Sequence, residues 1–213
     1  MISLLGGTGK IGSGLAIRFA LAGEDVIIGS RNLGQATEVS DKIKGVVNGA
    51  NITGKKNAGA AKVGDLIFLT IPYVTQKNLL KELENDLENK ILVSVVNPYK
   101  RVKGEFQSIP LAAGSAAEEA QNQLPKTKVV SAFKNISSDI LRDLDSEINC
   151  NTVVCSDDKK SKSEVMNLAR KINVEPLDGG RLKGSRQLDA ISVLLLNINA
   201  KYKSNSGFNI TGL

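Results

Sequence analysis

With 213 residues, the chain is long enough to bury a continuous core, and its length suits one large domain or one domain with a small appendage. Aromatic residues are only 4% and tryptophan is absent, which argues against nucleic-acid binding by base stacking; the longest apolar run near the end, AISVLLLNINA, is too short to span a bilayer. A formal charge of +6 suits anionic partners, but the charges lie in short runs such as Lys55-Lys56 and Lys159-Lys160, which read as a solvated basic surface.

The first predicted element is a buried strand over Met1–Leu5. The stretch MISLLGGTGK is only briefly apolar and lacks a basic leader, so it reads as a strand and not as a signal peptide. Gly7-Thr8-Gly9-Lys10-Ile11-Gly12 then spells G-x-G-x-x-G between that strand and a helix expected over Ile11–Ala22, whose apolar residues are Ile11, Leu15, Ile17, Phe19 and Ala22. A dinucleotide-binding turn needs that context. Gly7 is expected to allow the tight turn, Gly9 to let the backbone approach a pyrophosphate, and Gly12 to bring the helix close to the strand. The N–H groups and partial positive charge at the helix start would face the anion. A plain strand–turn–helix connection is the alternative.

The second strand is expected over Asp25–Ile28, running into Gly29-Ser30-Arg31. NAD sites place a carboxylate near this point for the ribose hydroxyls, and none stands here; Glu24 and Asp25 precede the strand. A hydroxyl donor and a guanidinium suit a 2′-phosphate instead. Ser30 and Arg31, with Thr8 in reach, therefore point to NADP, against the reading of Arg31 as a surface arginine.

Further strands are expected over Leu66–Thr70, Ile91–Val95, Lys128–Ala132, Thr152–Cys155 and Val174–Leu177, with a helix over Asp157–Ile172 that starts on Asp157-Asp158. Cys150 and Cys155 lie at odd spacing, which on a strand sends them to opposite faces, so no disulfide is expected between them and a reducing cytoplasm is the natural compartment. With no histidine present, no metal site is recognisable, and proton transfer must use other groups or be little needed. The last helix, over Gly184–Lys203, carries Leu188, Ile191, Leu194, Leu195 and Ile198 as an apolar stripe with no strand after it. It would pack on its own domain or across a homodimer. The fold class is α/β, a Rossmann-type doubly wound and mostly parallel sheet with a C-terminal helical appendage. The expected division is 1–180 for the NADP-binding domain and 181–213 for the helix and tail.

From LLGGTGKIG through IIGSR, ITGKKN, LTIPY, KVVSA and VCSDD to LDGGRLKGSR, the sequence resembles the coenzyme F420-dependent NADP oxidoreductases, a fold module also found in the N-terminal domain of flavin-using membrane metalloreductases. The resemblance implies that Gly6–Gly12 binds the pyrophosphate and that Thr8, Ser30 and Arg31 surround the 2′-phosphate. It places Thr70, Ile71 and Pro72 at the nicotinamide, although a strand ended by proline is common by itself. It makes Ser131–Ile136 the floor where the deazaflavin stacks, with Ala132 at the cofactor and Lys134 and Ile136 at the reacting rings, and it gives Arg186 to the second cofactor. The chain departs from the family's pattern at several points. Lys134 stands where relatives carry histidine, and Ser137 where they carry proline. Asn32 and Gln35 replace further basic residues, and Ala190 and Ser192 replace Ser and Thr.

The function implied is hydride transfer between NADP(H) and coenzyme F420, both small-molecule partners, with no nucleic acid or membrane involved. Such a reaction asks the protein mainly for orientation, which suits a chain without histidine. Lys134 would either stabilise negative charge on the reduced deazaflavin or point to solvent. Two other functions remain open: an NADPH-dependent reductase of a flavin or other small acceptor, and a non-catalytic NADP(H) sensor.

Overall fold

The computed structural model describes residues 1–145 and 147–212. Leu213, the last residue of the expected appendage, and Ser146 lie outside the described residues. In chain order the first half runs β1 (Ile2–Leu5), α1 (Lys10–Leu21), β2 (Val26–Ser30), α2 (Leu33–Val46), β3 (Ile52–Lys56), α3 (Asn57–Val63), β4 (Leu66–Leu69), α4 (Tyr73–Glu82), α5 (Glu84–Leu87) and β5 (Ile91–Ser94). The second half runs β6 (Tyr99–Val102), β7 (Glu105–Ser108), α6 (Ala116–Gln123), β8 (Lys128–Ser131), α7 (Ser138–Arg142), β9 (Asn151–Val154), α8 (Lys159–Lys171), β10 (Glu175–Asp178), a 3-10 turn (Leu182–Gly184) and α9 (Ser185–Tyr202).

Six strands form one sheet in the order β3-β2-β1-β4-β5-β8, each pair parallel. β1, β2 and β4 are buried along their whole length, because helices cover both faces of a doubly wound sheet. Alternation divides the core accordingly. Leu4, Ile28, Phe68, Val93 and Val130 face one cluster with Leu15 and Phe19 of α1, while Leu5, Ile27, Leu69, Leu92 and Val129 face the other with Leu80 of α4 and Ala120 of α6. On the first side Phe19, Phe68 and Phe133 stack mutually, at centroid separations of 4.9 to 6.4 Å.

β9 and β10 form a separate parallel pair, joined to the main sheet by an antiparallel bridge between Ser131 and Cys155. Cys150 and Cys155 flank β9 as buried, free thiols. Burial alone pushes the Cys150 thiol up to about 11. Burial is also the main cause at Cys155, likewise near 11.

Each strand and helix expected from the sequence is present within a residue or two of its expected ends. Three strands were not expected. β3 is an edge strand broken in pattern by Gly54, which is glycine because a Cβ there would lie 2.4 Å from the backbone of Ala36 and Thr37 on α2. β6 and β7 form an antiparallel hairpin around Lys103 and Gly104, both with positive φ, the conformation a two-residue hairpin turn requires. The hairpin leans on α9: the Asn197 side chain accepts from Phe106 N and donates to Phe106 O, both at 2.8 Å. The expected stripe on α9 is only partly a core stripe, since Leu188 and Val193 are buried while Ile191 and Leu194 are exposed.

Candidate functional site

The strand order reverses between β1 and β4, so their carboxyl ends diverge into a crevice, the usual ligand site of such sheets. Thr70 pins the crevice by donating Oγ1 to Leu5 O at 2.9 Å. The turn above it takes the left-handed conformation at Gly6, whose φ is +73, and Gly7 keeps it tight as expected: a Cβ there would lie 2.9 Å from Leu4 O, to which the Gly7 N–H donates at 3.1 Å, with a second bond to Gly29 O. Gly12 does what its spacing implied, because a Cβ there would lie 2.6 Å from Gly7 Cα and 2.7 Å from Thr70 Oγ1. Gly9 is different: the nearest atom to a Cβ there is 3.5 Å away. A Cβ there would make only ordinary contacts, and the residue lines the cleft, where an incoming group can approach it. No side chain caps α1 and no acid stands in its first turn, so the helix start is free to take an anion.

A cleft of about 630 Å³ opens from this turn. Gly9, Lys10 and Ile11 line one side, Thr70, Ile71 and Pro72 follow β4, and residues 133–139 follow β8. Ser192, Leu195, Leu196 and Asn199 of α9, with Asn205 and Ser206 of the tail, make the opposite wall. Of the residues singled out in sequence, Gly9, Lys10, Ile11, Thr70, Ile71, Pro72, Lys134 and Ile136 are brought together here.

Ser30 and Arg31 sit at the neighbouring strand end, outside the cleft lining, as does Thr8. Ser30 is buried and its Oγ accepts from Asn32 N at 3.2 Å. Arg31 is exposed and has no ion pair or hydrogen-bond partner among the described residues. Asn32, one of the departures from a basic pattern, is the N-cap of α2, accepting from Gln35 N at 3.3 Å.

Two residues expected at the cofactors, Ala132 and Arg186, lie outside the cleft lining. Ala132 is fully buried in the aromatic-lined core and does not reach the cleft. Arg186 lies against Glu118 of α6, donating Nε to Oε2 at 2.9 Å and Nη2 to Oε1 at 2.7 Å, away from the cleft. That pairing holds the Glu118 carboxyl below its ordinary value.

Lys134 neither points to solvent nor offers its ammonium to the cleft. Its side chain is 0% exposed, with Nζ donating to Asp189 Oδ1 at 2.5 Å and to Val96 O at 2.6 Å. Asp189 is held in turn by Ala116 N at 3.0 Å. Burial lowers the lysine's pKa, against the opposing pull of Asp189. The Lys134 carbonyl accepts from Ser192 Oγ and Asn97 Nδ2. The residue thus stitches the cleft floor to α9, acting through the chain on either side of it. Phe133 beside it has φ +57, unusual for a bulky residue, and its N–H is held by Thr152 Oγ1 at 2.8 Å.

Asn135 lies in the expected floor segment, whereas sequence reading missed Asn97; both residues line the cleft, and the side-chain oxygen of each is buried with no hydrogen-bond partner among the described residues. Buried acceptors of this kind suit donor groups on a planar ring or carboxamide. It also missed the far wall, because the apolar stripe of α9 looks the same whether it meets a core or a cleft.

Residues 1–98 match the family model described as NADP oxidoreductase, coenzyme F420-dependent. Over its full length the chain is 40% identical to the F420-dependent NADP reductase of Methanocaldococcus jannaschii, spanning 98% of that protein. It is 36% identical to the F420-dependent NADP reductase of Methanothermobacter marburgensis, again over 98%. A crystal structure from Arthrobacter sp. FB24 shares the fold, with a TM-score of 0.85 over 99% of both chains at 22% identity.

Proposed function

This chain belongs to the F420-dependent NADP reductases, oxidoreductases that pass hydride between NADP(H) and the deazaflavin coenzyme F420, and on that premise we propose how its own residues serve the reaction. The single observation that carries the assignment of roles is continuity: the glycine turn opens straight into the cleft. One molecule anchored at the turn therefore reaches a second seated between floor and α9.

Gly9 and the uncapped start of α1 hold the pyrophosphate, with Lys10 adding charge at the rim. Ser30 and Arg31, with Thr8, hold the 2′-phosphate, since no carboxylate stands at that strand end to repel it. Ile71, Pro72 and Ile136 give the cleft its apolar surface, and Asn97 and Asn135 accept from donors on the rings. When bound, the nicotinamide and deazaflavin supply the donor and acceptor carbons. The protein's part is to hold two planes within a near-attack distance of about 3–3.5 Å and to exclude water. A direct hydride transfer needs no strong acid–base pair, and among the described residues lining the cleft the only carboxylate is Asp139.

Residues 1–180 serve as the nucleotide-binding unit and 181–213 as an appended helix and tail, within which residues 192–206 supply the far wall. The exposed Ile191 and Leu194 on α9 support a homodimer through that helix. Two reduced, buried thiols support a cytoplasmic setting. No helix among the described residues is long and apolar enough to cross a membrane.

The test is to mix the protein with NADPH and oxidised F420 and follow the deazaflavin's visible absorbance. Rapid bleaching, much slower with NADH, is the expected result. Faster reduction of FMN or FAD than of F420 would move the acceptor elsewhere, and tight NADPH binding without turnover on any acceptor would make the protein a sensor.

A further inference from the structure

The corner that receives the 2′-phosphate has a third wall that sequence reading had set aside. The β2–β3 register pairs Ser30 with Lys56, Ile28 with Gly54 and Val26 with Ile52. Paired residues of parallel strands point to the same face. Val26, Ile28 and Ile52 all belong to the core cluster on the α1–α2 side, so Ser30 and Lys56 face that side as well. Gly54 lies directly under Ala36 and Thr37 of α2. Lys56, two residues further along the strand, is therefore beside the start of α2, where Asn32 forms the cap.

Lys56 is exposed and its side chain, like that of Arg31, has no ion pair or hydrogen bond among the described residues. The nearest acids on α2 are already engaged: Glu38 with Lys42 and Asp41 with Lys44. Its sequence neighbour Lys55 points the other way, with its side chain along Gly59 of α3. The Lys55-Lys56 pair is thus not one basic patch but two cations on opposite faces of an edge strand.

We propose that Lys56 is a specificity-determining residue for NADP(H), supplying the second cation of a cradle in which Arg31 is the first. The inference rests on the reading that Ser30 and Arg31 meet the 2′-phosphate, and it explains how the chain manages with Asn32 and Gln35 on α2. A phosphate monoester carries close to two charges near neutral pH. One guanidinium forks onto two of its oxygens, and an ammonium, a compact point charge on a flexible stem, takes the third.

The test compares Lys56→Gln and Lys55→Gln, which remove the same charge from the two faces, with Arg31→Ala as the reference. Dissociation constants for NADPH and NADH are measured by quenching of nucleotide fluorescence, without F420, so that turnover does not enter. Lys56→Gln is expected to weaken NADPH by about five- to thirtyfold while leaving NADH unchanged. Lys55→Gln should change either by less than about twofold, the scale of unpaired surface charge. The Lys56→Gln deficit should shrink as salt rises. Equal effects of the two lysine changes, or equal losses for both nucleotides on Lys56→Gln, would overturn the proposal. If Arg31→Ala also left NADPH unaffected, the whole corner reading would fall; if Arg31→Ala acted alone, only the role of Lys56 would.

Discussion

A Cβ on Gly12 would press 2.6 Å from Gly7 Cα, whereas one on Gly9 would meet nothing closer than Gly6 O at 3.5 Å, an ordinary contact. The two glycines of one turn therefore answer to different demands, packing at Gly12 and ligand approach at Gly9. Gly12→Ala is expected to destabilise the fold by about 1–3 kcal/mol through overpacking. Gly9→Ala, at φ −72 and ψ 167, should melt as the wild type does without cofactor yet bind NADPH about ten- to hundredfold more weakly. Thermal melts paired with nucleotide titration check both. Lys134 carries a second prediction at this scale. Lys134→Met leaves Asp189 charged and buried without its partner and should cost about 3–5 kcal/mol, while Lys134→Met combined with Asp189→Leu should recover most of it. Denaturant unfolding of the two variants decides this. The sequence made the glycine spacing and the absence of a ribose carboxylate plain, because both are local. It could not show where the Lys134 ammonium goes, because its partner lies 55 residues away on another element.

Between elements, the Glu118–Arg186 pair fastens α6 to the first turn of α9, with Ser115 Oγ and Ser185 Oγ 2.6 Å apart beside it. Glu118 sits below its ordinary 4.5, chiefly because Arg186 donates to it. A depressed carboxylate stabilises the fold above its ordinary value and loses that contribution as the pH falls through the lower folded value. Melting curves should therefore show Glu118→Gln below wild type by roughly 1–3 °C at neutral pH. The two should converge once the pH is well under the ordinary carboxylate range; a constant gap across that range would contradict the pairing. The strand–helix alternation that produced this arrangement was legible because each inner strand is a short apolar run. β3 escaped notice because Gly54 and two lysines break its pattern. The hairpin escaped because it is mostly exposed, although KG between two four-residue runs was a readable turn signal.

For the molecule as a whole, α9 faces three ways: Leu188 and Val193 into the core, Leu195 and Leu196 into the cleft, Ile191 and Leu194 outward. A single apolar stripe in the sequence did not separate these surfaces. If the outward face joins two copies, Leu194→Lys should shift the light-scattering mass from dimer to monomer, and an unchanged mass would remove α9 from the interface. The two thiols, buried and with pKa values near 11, should resist a disulfide reagent in the native protein and both react on unfolding. On the proposed function, the protein aligns two cofactors for direct hydride transfer and supplies no proton relay of its own. This is tested most directly with NADPH deuterated at C4, on the transferred face, and oxidised F420 in ordinary water, reading the deazaflavin C5 by NMR or mass spectrometry. Deuterium at C5 in the first turnover is the expected result. Hydrogen from solvent at that carbon, or no F420 reduction with NADPH bound, would contradict it.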